Sequence, residues 1–533
     1  MDKKSKAQMN KTSPPAAEPL GTGSRWPTIV AYSGLLAAMG LYIFHTRQFW
    51  HYINDDAYIT FRYSRFLATG RGPYFNVGEH VEGYTNFLLM LLLAPVYSIG
   101  GENAVPIFAK TFSVICGLGS ILGAFALSRW IVPATNSWRS AVTGVTAAGL
   151  VATSAGYAIN STSGLETIQF SATITLGVLL GQLGAARKKW LGSGIFFAMA
   201  TLTRPEGVLF FAVYWLTLAA CHAPSLFAAA IGVPKRGLAA LREQPIIWRQ
   251  LIPDALIVTA VFVGHLLYRR TMYDGEWLPN TFYAKAGGFW AAKATDYIYD
   301  GVVKAVLGPV GLWMGLIGWI FASGERLKSL PFLAVAAAGS LMPCVTGTDW
   351  MLGGRMVVPF LPLLAVCMSM GWCRLFDLLV GRRWPAAMLA VLLIVPASWN
   401  YQDDPRFRLR AESAYRAFGY QIGHRALAEY LRTGGAKPGD TIALMDIGMV
   451  GYYCDAQRIL DITGLTDRHI AQSPGTFLDK DYDPDYVFEK KPEFIVIVLH
   501  ALGNPETPVP ADTHLSCWTH IEDKFTKHGD FDR

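Results

Sequence analysis

Two adjacent aspartates, Asp55 and Asp56, follow the first apolar stretch of the sequence. Asn54 stands directly before them, and Asn and Asp are favoured at the start of a helix, where their side chains accept hydrogen bonds from backbone N–H groups. One such residue is enough for that task. A second carboxylate at the same place indicates an added chemical role, as a general base, as a ligand of a divalent cation, or as both.

Two further polar clusters carry side chains suited to hydrogen-bonding a hydroxylated ligand. Glu82 and Tyr84 lie within residues 75–86, a stretch rich in glycine and asparagine that is also typical of an ordered loop. Glu166 lies within residues 163–167, where a Ser-Gly start followed by Glu equally fits the first turn of a helix.

The last two clusters add cations. Arg204 interrupts a long apolar stretch and could hold a phosphate or simply pair with Glu206. Lys285 and Arg355 flank predicted membrane segments, where they could bind an anionic ligand or extend to the lipid headgroups. Their clusters also contain other polar groups: residues 278–285 include Asn280, and residues 347–355 include Asp349.

The elements that position these clusters are predicted to be membrane helices. Of the 533 residues, 52% are hydrophobic and 16% are charged, whereas a soluble domain has about 25% charged residues. Apolar runs of about 15–25 residues recur, which is the length that crosses a hydrocarbon core. The runs lie near 27–45, 86–99, 104–128, 140–157, 167–186, 191–203, 207–221, 252–268, 303–322, 330–346, 356–373 and 385–399. The sequence therefore predicts a polytopic α-helical membrane protein.

The distribution of cations predicts which loops face outwards. If all twelve runs crossed the membrane, clusters such as Arg187-Lys188-Lys189 and Arg382-Arg383 would face away from the cytoplasm, against the positive-inside tendency. Treating the short run 86–99 as a juxtamembrane or re-entrant helix corrects every later loop. This leaves about eleven spans, a cytoplasmic tail over 1–26 and a first outer loop over 46–103. All five polar clusters then lie outside.

A change of composition near residue 400 predicts a second domain. Apolar runs shorten to about 5–7 residues, as expected of buried strands at 441–445 and 494–499, with helices near 411–432. We expect a membrane domain over 27–400 and an extracytoplasmic α/β domain over 401–533. Cys454 and Cys517 both lie in it, and an oxidising compartment would allow them to pair.

The pattern excludes several functions. The cations are clustered between apolar runs, which indicates the orientation of the chain in the membrane and argues against a nucleic-acid-binding surface. The cysteines lack zinc-site spacing, and a phosphate-binding nucleotide loop is missing from the sequence. An outward cavity with carboxylates, cations and aromatic groups suits a lipid-linked anionic donor and a hydroxylated acceptor. The alternative is a secondary transporter or lipid-linked-sugar flippase, which requires charged relays or broken-helix repeats; an assembly protein would not require the acidic pair.

The five clusters, in the same order, resemble the GT-C glycosyltransferases. The matching segments are Asp55–Tyr63, Val81–Asn86, Ser163–Thr167, Arg204–Gly207, Leu278–Lys285 and Asp349–Arg355. Among the GT-C glycosyltransferases, these segments look most like those of the terminal β-(1→2) arabinofuranosyltransferases. The resemblance extends from about residue 50 to residue 400, and a C-terminal domain outside the cytoplasm also fits it.

This resemblance implies a polyprenyl-phosphate sugar donor, with D-arabinofuranose as the expected sugar, and transfer on the outer face of the bacterial cytoplasmic membrane. Asp55 or Asp56 would act as the essential aspartate, and the other would orient it or help to bind a divalent cation such as Mg²⁺, Mn²⁺ or Ca²⁺. The acceptor would be an envelope glycan, a lipopolysaccharide or a surface protein. The implied donor-phosphate ligands are Lys285, Arg204 and Arg355, and the implied sugar ligands are Glu82, Tyr84, Glu166, Asn280 and Asp349.

Overall fold

The computed structural model describes residues 25–132, 137–222, 245–285, 291–347, 351, 353–380, 421–477 and 479–496, and helices form most of the described part up to residue 380. The helices up to residue 380 are α1 (Trp26–Gln48), α2 (Asp55–Ala68), α3 (Phe87–Ile131), α4 (Ser137–Thr153), α5 (Ala155–Thr162), α6 (Thr167–Arg187), α7 (Ser193–Thr203), α8 (Gly207–His222), α9 (Pro245–Met272), α10 (Asn280–Lys285), α11 (Ala291–Ile298), α12 (Gly308–Ile320), α13 (Ser323–Leu341), α14 (Pro343–Thr346) and α15 (Leu361–Val380). Short π and 3₁₀ turns cover Tyr299–Val303, Lys304–Val306 and Val358–Phe360.

The predicted class, a multi-pass helical membrane protein, is confirmed. Among the described residues, six helices are long and apolar enough to cross a membrane, or eight if two bent pairs each count as one span. The bent pairs join α4 to α5 at 57° and residues 294–306 to α12 at 67°. The predicted runs 191–203 and 207–221 form the shorter helices α7 and α8. The run 385–399 lies outside the described residues, so eleven spans remain a prediction.

The predicted juxtamembrane run 86–99 is the first part of α3. This helix has 45 residues, or about 67 Å at 1.5 Å per residue, more than twice the thickness of a hydrocarbon core. Gly101 interrupts it with φ 70° and ψ −167°, a conformation that favours glycine. Residues before the break pack with α2, whereas Ile121 and Phe125 belong to the main core. The break lies between the predicted runs 86–99 and 104–128, and the juxtamembrane position of the first run stays a prediction.

The main core of the membrane domain contains one very close helix crossing, between α12 and α15. A Cβ atom added to Gly318 would overlap the carbonyl group of Gly371, and one added to Gly371 would overlap the carbonyl oxygen of Gly315. Trp372 Nε1 also donates to the carbonyl of Gly311 at 2.7 Å. Small residues allow membrane helices to approach this closely.

Residues 421–496 form a small α/β unit, here called the C-terminal unit. Its parallel sheet has the order β2-β1-β5, from β1 (Thr441–Leu444), β2 (Arg458–Asp461) and β5 (Phe494–Ile495). The antiparallel strands β3 (Gly475–Thr476) and β4 (Asp479–Lys480) form a hairpin. Its helices are α16 (residues 421–430), α17 (Ile447–Tyr453), α18 (Arg468–Gln472) and α19 (Asp485–Glu489), with a π turn at Leu431–Gly435. β1 and β5 overlap the two predicted strands.

The Cys454–Cys517 pairing stays a prediction. Cys454 is buried, and its thiol lies 3.5 Å from the carbonyl of Ala428, while Cys517 lies outside the described residues.

Candidate functional site

Asp55 and Asp56 occupy the first turn of α2, but their surroundings differ. Asn54 caps the helix, since its side-chain oxygen accepts from the Asp56 N–H at 3.0 Å. The Asp55 carboxylate instead accepts two hydrogen bonds of 2.8 Å from the backbone N–H groups of Gly448 and Met449. Asp55 therefore caps α17 of the C-terminal unit, while Asp56 is half-buried beside it.

The C-terminal unit adds two titratable side chains to this place. His424 Nε2 lies 3.4 Å from the Asp446 carboxylate, and Asp446 immediately precedes α17. Burial and the nearby negative charge of Asp446 raise the pKa of Asp55 to about 6, while His424 opposes the rise. Both residues lie far along the chain from the aspartate pair, and the sequence carries no signal that would have joined them.

A chain of buried hydrogen bonds links four of the five predicted clusters. Thr60 Oγ1 on α2 donates to the Asn86 side-chain oxygen at 2.9 Å. Asn86 Nδ2 donates to Glu166 Oε2 at 2.9 Å, and Arg204 Nε donates to Glu166 Oε1 at 2.7 Å. Burial opposes ionisation of Glu166, but Arg204 and Arg355 outweigh it, so the pKa of this carboxyl lies below its usual value. We call Thr60, Asn86, Glu166 and Arg204 the buried polar chain.

Arg355, whose charge helps to lower the pKa of Glu166, directly follows a tight turn. Gly353 and Gly354 precede it with φ of 80° and 64°, where glycine is strongly favoured. A Cβ atom on Gly353 would lie 2.8 Å from Asn160 Nδ2, which itself donates to the Gly353 carbonyl at 3.2 Å. The turn is thus pressed against α5. Asp349, predicted from the same cluster, lies outside the described residues.

Glu82 and Tyr84 have partners within the protein that the sequence did not reveal. Glu82 forms a buried ion pair with Arg269 of α9, in which Arg269 Nη2 lies 3.3 Å from Glu82 Oε1. The Tyr84 hydroxyl lies 3.0 Å from that of Tyr273. Arg269 ends a predicted membrane run, so its sequence position resembles an ordinary terminal cation.

Asn280 connects α10 to the C-terminal unit. Its Nδ2 lies 2.8–3.1 Å from the carbonyl oxygens of Gly464, Leu465 and Asp467. The loop that carries these carbonyls follows β2 and is organised by the buried Asp461, whose carboxylate accepts from residues 463, 464 and 466. The backbone N–H of Asn280 also donates to the Glu82 carbonyl at 2.9 Å, so this cluster meets the second one.

Lys285 lies at the end of α10 and is exposed. Its Nζ is 5.2 Å from the ring centroid of Phe477, at the tip of the β3–β4 hairpin. Lys285 therefore borders the C-terminal unit, while Arg204 and Arg355 are associated with Glu166.

The Asp55 carboxylate is engaged by the C-terminal unit, and the contacts around it do not indicate a divalent cation. Both of its carboxylate oxygens accept backbone N–H groups. Within the described ranges, no group of three or more His, Cys, Asp or Glu side chains is arranged to hold a metal ion. The aspartate pair as a cation site remains a prediction, and no chemical step is assigned to such an ion here.

Replacing Arg269 by methionine is expected to destabilise the protein by about 3–5 kcal/mol, because Glu82 would then be buried without its counter-ion. The measurement is thermal unfolding in detergent. Arg270→Met is the matched control, since Arg270 is exposed and lies over the Trp277 ring; it should shift the melting temperature only slightly. Equal shifts for the two variants would contradict a special role of the ion pair.

Comparisons with known proteins give three kinds of similarity. A model of a domain of unknown function, DUF8728, matches residues 407–531. A terminal β-(1→2)-arabinofuranosyltransferase of Corynebacterium glutamicum is 27% identical over 318 residues, which cover 57% of this chain and 43% of that protein. This chain thus spans less than half the length of that relative.

Solved structures give the third similarity. The oligosaccharyltransferase of Archaeoglobus fulgidus in its apo form matches with a TM-score of 0.50 at 14% identity, covering 82% of this chain and 65% of that one. ArnT from Cupriavidus metallidurans in the apo state matches with a TM-score of 0.49 at 12% identity, covering 89% of this chain and 96% of that one.

The likeness to the oligosaccharyltransferase identifies a membrane protein of the GT-C fold, and the resemblance seen in the sequence is confirmed at that level. Within the GT-C class, the sequence is similar to the terminal arabinofuranosyltransferases.

Proposed function

We propose that the protein is a glycosyltransferase that moves a sugar from a polyprenyl-phosphate donor to a hydroxyl group of an envelope acceptor. The observation that supports this most is the convergence of Thr60, Asn86, Glu166 and Arg204 into one buried polar chain next to α2, whose first turn holds Asp56. The GT-C fold and the similarity to an arabinofuranosyltransferase support the same reaction class.

In the proposed reaction, Asp56 accepts the proton of the acceptor hydroxyl as that oxygen attacks the anomeric carbon of the donor sugar. The bond between this carbon and the phosphate oxygen breaks, and polyprenyl phosphate leaves with the electron pair. Lys285, Arg204 and Arg355 stabilise the charge that develops on the phosphate. Glu166 orients Arg204 by accepting a hydrogen bond of 2.7 Å from Arg204 Nε at its Oε1. The positive charge of Arg204 is thus held in place before the donor binds.

Of the predicted sugar ligands, Glu166 and Asn280 hold binding loops in place, and Glu82 and Tyr84 brace the first outer loop. We propose that they support the walls of the sugar pocket without contacting the sugar, and that Asp349, from the polar cluster at 347–355, binds the sugar. D-Arabinofuranose is the proposed sugar because the similar transferase is named for it. The proposed acceptor is an envelope glycan, a lipopolysaccharide or a surface protein.

We propose eleven spans with the N-terminal tail (1–26) in the bacterial cytoplasm, the membrane domain over 27–400, and residues 401–533 in the periplasm. Contacts at both ends of the helices support this assignment of loops to the two sides of the membrane. The first outer loop and α10 both bond to residues 446–467, which requires them to share one side of the membrane. At the opposite ends, Arg139 pairs with Glu325 and Asp377, where the sequence predicted cytoplasmic loops.

Transfer by the purified protein tests the proposal. Polyprenyl-phosphoryl arabinofuranose and an envelope extract should yield a glycosylated acceptor, and omission of the extract should abolish the product. Turnover with another polyprenyl-linked sugar would retain the class and replace the sugar. Inertness with every lipid-linked sugar, together with movement of such lipids across proteoliposomes, would reject the transferase and favour a flippase.

A further inference from the structure

Helix α17 of the C-terminal unit is bonded at both ends by side chains of α2. At its beginning, the N–H groups of Gly448 and Met449 donate to the Asp55 carboxylate. At its end, Arg62 Nη1 donates to the carbonyls of Gly451 and Cys454, the second at 3.1 Å. We call Asp55 and Arg62 the α17 clamp.

The clamp matches the electrostatics and length of α17. A helix carries partial positive charge at its N-terminus and partial negative charge at its C-terminus, so a carboxylate and a guanidinium are placed at the favourable ends. Asp55 and Arg62 are two turns apart on α2, about 10 Å at 1.5 Å per residue, which is the length of the seven-residue α17. The two helices therefore run side by side in the same direction.

Burial and close packing make this contact specific. Arg62 is 1% exposed, and its guanidinium also donates to the carbonyls of Phe75 and Gln457, at 2.6 and 3.0 Å. A Cβ atom on Gly448 would overlap the backbone carbonyl of Asp55. Only glycine at this position lets α17 approach the first turn of α2.

Other contacts keep the C-terminal unit in one orientation on the membrane domain. Asn76 exchanges two hydrogen bonds with the backbone of Ile459, at 2.8 and 3.0 Å. Lys480 Nζ donates to the carbonyl of Tyr283 at 3.2 Å, near the Asn280 contacts. The unit is thus fixed to the first outer loop and to α10, and α17 serves as a support for α2.

We propose that Asp55 is a positioning residue, distinct from Asp56: its carboxylate, with Arg62, holds α2 on α17 and so fixes Asp56 for the reaction. This inference rests on the proposed transferase function. It assigns the two neighbouring aspartates different tasks and makes the C-terminal unit a structural part of the site, acting through α2.

A double-mutant cycle of Asp55→Ala and Gly448→Ala tests this assignment. Each single variant is expected to lower kcat about 10- to 100-fold, with the donor KM within about two-fold of the wild type. Because both changes disturb the same contact, the double variant should be no slower than the slower single variant. Gly423→Ala is the matched control, since a Cβ atom there meets no atom within 4 Å, and its kcat should be unchanged.

Multiplicative losses in the double variant would overturn the inference, because Asp55 would then act on the substrate independently of α17. Hydrogen exchange of residues 447–453 gives a readout that needs no activity. Asp55→Ala and Gly448→Ala should both accelerate it, and unchanged exchange would also overturn the inference. If the wild type transfers no sugar from any lipid-linked donor, the proposed function fails, while exchange still decides whether the clamp holds α17.

Discussion

Asp56→Asn is expected to lower sugar transfer about 10²- to 10⁴-fold, the usual contribution of a positioned general base. Asparagine has nearly the same shape but cannot accept the acceptor's proton at neutral pH. The start of α2 should stay intact, because Asn54 caps it through the backbone N–H of residue 56, which the substitution retains. The measurement is kcat for transfer, accompanied by thermal unfolding and by binding of the polyprenyl phosphate.

The control for this variant is Asp455→Asn, which changes a carboxylate at the same contact between α2 and the C-terminal unit. Asp455 pairs with Arg65 and Arg71, at 2.9 and 3.2 Å, and both pairs are partly exposed. Such pairs are worth about 0–1 kcal/mol, so transfer should remain within about three-fold of the wild type. Full transfer by the Asp56 variant would remove this residue from the chemistry.

The second large effect is expected at the Glu166–Arg204 ion pair. Glu166→Gln removes the buried counter-ion of the Arg204 guanidinium, leaving only the longer pair with the partly exposed Glu206, and weakens the bond from Asn86, so stability should fall by about 3–5 kcal/mol. Replacing both residues, as Glu166→Leu with Arg204→Met, should restore much of this loss, because no buried charge is then unpaired. Thermal unfolding in detergent measures both effects.

Transfer separates stability from function in the same variants. The double variant should stay inactive, since Arg204 is a proposed ligand of the donor phosphate. Glu206→Gln is the matched control: Glu206 lies 3.6 Å from Arg204 and its side chain is 25% exposed, so the change should cost less than about 1 kcal/mol. A double variant that folds and transfers sugar would show that neither residue binds the donor.

Much of the membrane domain could be predicted because apolar length and cation placement are local properties of the sequence. The runs at 27–45, 167–186 and 252–268 correspond to helices that are long and apolar enough to span. Because the predicted topology places all the polar clusters on one side of the membrane, the sequence also predicted that they lie close to one another. Four of them are joined in the buried polar chain, which no single cluster could have indicated alone.

The partners of these residues could not be predicted, because they depend on contacts between distant parts of the chain. Arg62 belongs to a helix whose pattern is amphipathic, and its burial follows from contacts with α17, Phe75 and Gln457 that the sequence does not indicate. The different surroundings of Asp55 and Asp56 follow from helix geometry, since neighbouring residues point about 100° apart. Which of them faces α17 is decided by residues 448 and 449.

The crossing of α12 and α15 limits how a long lipid can reach the site. At Gly318 and Gly371 the two backbones touch directly, and the side chains of Met368 and Trp372 pack against Gly315. An isoprenoid chain is wider than such a contact, so it cannot pass between these helices unless they separate. For the proposed transferase, we therefore expect the lipid donor to enter from the bilayer along another seam, with its tail outside this helix pair during transfer.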